Sequence, residues 1–162
     1  MRGDNMAGFD LNKYSQECEK KVDMKKTKKN LSIFLNAYFI ARERAGQPRE
    51  PKLSVTLSEV PVSSGRVSKE AEDILIYNEQ VKEEFLELHD LYIKGYSAIQ
   101  VPFSAERTER RKKIFYDNMI RGYSQVKTAL RHYTTEDSVQ KEIRKAIIQF
   151  CQELDIVEYK KG

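Results

Sequence analysis

The chain alternates between stretches of helical periodicity and short breaks. In MKKTKKNLSIFLNAYFIARERAG, Leu31, Phe34, Leu35, Tyr38 and Ala41 recur at three- and four-residue steps, the spacing that gathers side chains on one helix face. Asp23 stands at the N-cap position, and Gly46 with Pro48 ends the run. Residues 47–66 hold Pro48, Pro51, Pro61 and Gly65, and within them Leu53, Val55 and Leu57 alternate with polar residues. That pattern predicts an extended linker with at most one short strand. Ser68 then opens KEAEDILIYNEQVKEEFLELHDLYIKG, where Ala71, Ile74, Leu75, Val81, Phe85, Leu88 and Tyr92 trace an apolar stripe interrupted by Asn78. Gly95 and Pro102 are expected to end this helix, near residues 68–95. Ser104 caps a further helix, which Gly122 closes.

The last third reads YSQVKTALRHYTTEDSVQKEIRKAIIQFCQELDI. Ser124 is placed to cap a short helix over about 125–132, and Thr135 a second over about 136–154. Val139, Ile143, Ala146, Ile147, Phe150 and Leu154 form a clean buried stripe on that second helix. Gln140, Lys141, Arg144 and Lys145 lie off the stripe. Ala129 supplies a small residue six positions before the Thr135 cap, where a second helix crossing closely needs one. Val139 and Ile143 follow the cap by four and eight residues. A helix-turn-helix satisfies this spacing, and so does an ordinary helical hairpin.

The fold class that follows is all-α, with an N-terminal helix, a long central helix and a compact C-terminal unit. Four segments are expected: a flexible arm over 1–22, the first helix and linker over 23–66, the long acidic helix over 67–102, and a DNA-binding module over 103–162. Charge strengthens the last assignment. The net charge is +4 and the pI near 8.9, but the residues behind it are segregated, with an acidic middle between two basic flanks. Lys25, Lys26, Lys28 and Lys29 crowd the first turns of the first helix, where cations oppose the helix dipole; they imply either a partner or a solvated, frayed turn.

Other chemistries find little support. Cys18 and Cys151 form no CxxC pair and have no zinc-like spacing with His89 and His132, which read as surface or edge residues. There is no Gly-rich phosphate loop, no HExxH, and no serine or cysteine beside a plausible base, so no enzymatic activity, metal or cofactor is expected. The carboxylates between Glu70 and Asp90 read as a solvated acidic face. No stretch matches a membrane span and the N-terminus lacks an apolar leader, so the expectation is a cytoplasmic protein without a membrane partner.

Ser124, Ala129, Thr135, Ser138-Val139 and Ile143 fall where the C-terminal helix-turn-helix of sigma factors (region 4) has its serine start, alanine, capped turn, Thr-Val pair and leucine. The chain departs from that pattern at Thr128, where an apolar residue is usual, and at Tyr133, where the turn has glycine. KKTKKNLSIFL at 25–35, IFYDNMIRGYS at 114–124 and QFCQELDIVEYKK at 149–161 more closely resemble the ArpU family of phage transcriptional regulators, related in character to RinA-type late-gene activators. The resemblance spans about residues 23–161. It implies a phage or prophage regulator of late, packaging or lysis genes that binds double-stranded DNA, with RNA polymerase and a second copy of the chain as further possible partners. The alternative is a helical adaptor or structural phage protein that binds another protein through the 68–95 helix.

On the DNA-binding reading, Glu136, Asp137, Gln140, Lys141 and Arg144 are the candidate base readers. Lys and Arg suit guanine edges, Gln suits adenine, and a carboxylate accepts from cytosine. Arg110, Arg111, Lys112, Lys113, Lys127, Arg131 and Lys145 are the candidate phosphate contacts.

Overall fold

A computed structural model describes Gly8, residues 19–50 and residues 69–161. The expected arm up to Cys18, the alternating Leu53–Leu57 segment, the Ser68 cap and any pairing of Cys18 lie outside these residues. Among the described residues the secondary structure is helical: α1 (Met24–Gly46), α2 (Lys69–Ser97), α3 (Ala105–Phe115) continued by a π-helical turn (Tyr116–Ile120), α4 (Gln125–Arg131) and α5 (Glu136–Glu153). The one extended pairing among the described residues is an isolated antiparallel bridge between Val22 and Tyr159. No described helix is long and apolar enough to cross a membrane.

The chain forms two compact units, one of Met1–Ile33 with Ile93–Gly162 and one of Phe34–Tyr92. In the second, Tyr38 of α1 stacks on Tyr92 of α2 with ring centroids 4.8 Å apart, and its hydroxyl lies 2.7 Å from His89 Nδ1. Asn78, the polar break in the α2 stripe, accepts from the Arg49 amide and donates to the Arg49 carbonyl, both at 3.0 Å. Its amide thus mimics a strand partner and fixes the chain as it leaves α1. The stripe itself is less enclosed than its period suggests. Val81 is buried, but Ile74, Phe85 and Leu88 are only half-buried, and Leu75, expected inside, is exposed.

The first unit is built around α5. Ile99, Ile114, Phe115, Val139, Ala146, Ile147, Phe150 and Cys151 are fully buried in it, and the Phe115 and Phe150 rings stack at 5.4 Å. Two expectations change here. Gly95 does not end α2, which runs on to Ser97; a Cβ on Gly95 would stand 2.7 Å from Phe150 Cε2 and 2.8 Å from Leu154 Cδ1. Its role is close approach rather than termination. The helix from Ser104 does not run unbroken to Gly122 either, because at Tyr116 it loosens into the π turn, where the Arg121 amide donates to the Tyr116 carbonyl at 2.9 Å. Ser104, Ser124 and Thr135 each cap as their positions require, accepting from the amides of Arg107, Lys127 and Ser138.

Lys21 and Val22, assigned to the arm, belong instead to this unit. Val22 is buried, the Asp23 amide donates to the Glu158 carbonyl at 2.8 Å, and the Lys160 amide donates to the Lys21 carbonyl at 2.7 Å. Asn30 donates to the Ile156 carbonyl at 3.0 Å, so the start of α1 and the tail after α5 are stitched together.

Candidate nucleic-acid interface

The α4–α5 pair is joined by a tight turn whose geometry follows from its hydrogen bonds. The Thr134 amide donates to the Ala129 carbonyl at 3.0 Å and the Tyr133 amide to the Leu130 carbonyl at 3.4 Å. This is a Schellman closure, which needs a left-handed residue at the position after the cap. Tyr133 takes that place with φ 52°. The turn therefore keeps its sharpness without the glycine, at a cost of about 1–3 kcal/mol in backbone strain. The Tyr133 ring is left almost fully in solvent. At the other departure from the sigma pattern, Thr128 is fully buried and spends its hydroxyl on the Ser124 carbonyl at 2.8 Å. Ala129 is buried where α4 packs on α5.

Helix α5 is divided along its length. In its first half Glu136, Asp137, Gln140, Lys141, Arg144 and Lys145 are all exposed, while Val139 and Ile143 face the core. Asp137, Lys141 and Arg144 lie on one face by their spacing. Ile148, four residues beyond Arg144 on that face, is buried, so the open surface stops there. Lys141 Nζ sits 3.1 Å from the Asp137 carboxylate, a pair so exposed that it contributes only about 0.3–0.5 kcal/mol. The outward half of α5 thus carries a carboxamide, three cations and two carboxylates without strong commitments to the fold.

The expected phosphate contacts separate into four groups. Arg110, Lys113 and Lys145 are exposed. Lys127 and Arg131 gather around the Tyr123 ring, with Lys127 Nζ 3.9 Å and Arg131 Cζ 5.3 Å from its centroid. Arg121, which is not among the expected contacts, joins them at 5.7 Å. Lys112 is half-buried over the Tyr96 ring. Arg111 is a correction. Its side chain is buried, and its Nε donates to Glu142 Oε2 at 2.6 Å while Nη1 donates to the Gln100 carbonyl at 2.8 Å. It is an internal tie between α3 and α5 rather than a surface cation.

Beneath the Tyr123 cluster lies Asp117, buried within the π turn. Its Oδ2 receives Arg131 Nε at 3.1 Å and stands 2.8 Å from His132 Nε2. Burial alone would raise this carboxyl, but the hydrogen bonds from His132 and Arg131 outweigh it and hold the group below its ordinary 3.8. His132 is therefore a half-buried anchor of α4 rather than a free edge residue. Lys113, Arg121, Arg131 and His132 line a cleft of about 450 Å³ with Asp117 at its base. Among the described residues no cluster of His, Cys and carboxylates could hold a metal ion.

No family model matches the chain. No solved structure matches it. Over 136 residues, 82% of this chain and 89% of the other, it is 29% identical to a phage-related protein of Listeria innocua whose own function is uncharacterized.

Proposed function

We propose that this chain is a phage or prophage transcription regulator that binds duplex DNA and reads it with the first half of α5 in the major groove. The observation that carries the reading is the division of that helix: Val139 and Ile143 are buried while Gln140, Lys141, Arg144 and Lys145 stand in solvent near the N-terminus. That is the end through which recognition helices touch base edges. The tight α4–α5 turn, with Ala129 buried and Thr135 capping, agrees with a helix-turn-helix of the sigma region 4 type. The phage setting is drawn from the Listeria innocua relative, and the ArpU-like role in late, packaging or lysis genes from the motif resemblance. On this account the protein has no catalytic activity of its own.

A second reading rests on α2, which exposes Leu75, Ile76, Leu86 and Leu91. Large apolar side chains left in solvent along one helix favour a protein partner, as a helical adaptor would require. Selection of binding sites from random duplexes with purified protein separates the two. A regulator enriches one common sequence, whereas an adaptor enriches none.

A further inference from the structure

The stitching of the two chain ends has an electrostatic consequence. Lys20 and Lys21 precede the Val22–Tyr159 bridge, Lys25, Lys26, Lys28 and Lys29 follow it on α1, and Lys160 and Lys161 follow it on the tail. All eight are exposed, and none is ion-paired to a described residue. The acidic groups among them are Glu19, Asp23 and Glu158; Asp23 Oδ1 is occupied in accepting the Lys26 amide at 3.1 Å. The first turn of α1 has no acidic residue, so the Asp23 cap is all that its own sequence sets against the positive end of the helix dipole beside four lysines. Folding has therefore concentrated cations at a place where they repel one another and the helix, which a polyanion would relieve.

We propose that this paired-end patch is a second nucleic-acid contact, a clamp for the phosphate backbone of duplex DNA that is blind to base sequence. The proposal rests on the DNA-binding reading and extends it to a surface outside α5. A phosphate backbone is favoured over an anionic membrane by what the patch lacks. Interfacial helices bury an exposed apolar face in the headgroups, but along the lysine-bearing turns of α1 the inward positions Thr27 and Leu31 are already buried and no large apolar side chain is exposed before Ile33, beyond the lysines. Tyr159 is half exposed between the lysines, an aromatic in a basic setting that suits nucleic acid.

The test compares wild type with a six-site variant, Lys25→Gln, Lys26→Gln, Lys28→Gln, Lys29→Gln, Lys160→Gln and Lys161→Gln. Glutamine keeps helix propensity close to that of lysine, so α1 still forms. Binding to a duplex of unrelated sequence is measured over a range of salt concentrations. Each neutralised phosphate contributes roughly 0.9 to the slope of log K against log salt, so the variant's slope should be shallower by about two or more and its affinity at ~100 mM salt at least about tenfold weaker. Lysine acetylation of the wild type, with and without duplex, gives a reading free of any folding defect: labelling of these lysines should fall severalfold on binding. An unchanged slope or unprotected lysines overturn the clamp. If Arg144→Ala still relaxes base preference, the α5 reading survives that failure. If the variant flattens the slope but no base preference exists, the α5 reading fails and the clamp stands. Wild type that binds no duplex at any salt overturns both. Vesicles of equal phosphatidylserine and phosphatidylcholine, bound by wild type alone while duplex binding stays equal, reassign the patch to membrane.

Discussion

At the scale of single residues, burial decides which cations serve the fold and which stand in solvent. Arg111 sits in the run RRKK beside Arg110, Lys112 and Lys113, and nothing local distinguishes it from them. The fold turns it inward onto Glu142 and the Gln100 carbonyl. Removing it leaves a largely buried carboxylate without its partner, so Arg111→Ala should lower stability by about 3 kcal/mol in urea unfolding and leave the salt slope of any folded protein unchanged. Asp117 makes a second prediction, one that depends on pH. Its carboxyl titrates below the unfolded value near 3.8, so its stabilisation is complete above that value and is lost as pH falls through the lowered one. Asp117→Asn should cost about 1–3 kcal/mol at neutral pH and remove this part of the acid dependence, measured as unfolding midpoints from pH 3 to pH 7.

Elements were legible where one face of a helix is simply apolar, and less so where a distant segment sets the role of a residue. The α5 stripe and the caps at Ser104, Ser124 and Thr135 depend on neighbours three and four residues away, and they can be read from the chain. Ile148 could not: by spacing it lies on the outward face with Arg144, yet it is enclosed. The π turn at Tyr116 leaves no trace in the sequence because it contains neither glycine nor proline, and it seats Asp117 against α4. Gly95 resembled a stop signal, since a glycine followed by a proline commonly is one. In the folded chain it is a contact with Phe150, and the test is direct. Gly95→Ala would improve helix propensity by about 1 kcal/mol, but the new methyl must displace a fully buried ring. Overpacking of that kind costs about 1–3 kcal/mol, so thermal unfolding should show net destabilisation; a gain in stability would contradict the close approach.

At the scale of the whole molecule, the division of charge seen along the sequence becomes a division of surfaces. The tail after α5 and the start of α1 are far apart in the chain, and only their pairing through Val22, Asp23, Glu158 and Lys160 brings the terminal lysines together. Such long-range pairing leaves no periodic trace, which is why a segment that reads as a loose arm ends in a buried valine. The first unit then presents the exposed half of α5, the Tyr123 cluster of Lys127, Arg131 and Arg121, and the lysines around the Val22–Tyr159 bridge, the three surfaces on which the proposed DNA contacts rest.

The central claim is that the exposed half of α5 reads base sequence, and the most direct measurement is affinity for a selected site and for scrambled duplexes across salt concentrations. Arg144→Ala should weaken the selected site by about 1–3 kcal/mol, relax one base position and leave scrambled binding nearly unchanged. Lys127→Ala should weaken both alike and reduce the salt slope by about one. If Arg144→Ala and Lys141→Ala both fold, by circular dichroism, and bind the selected site as wild type does, α5 is not the reading helix.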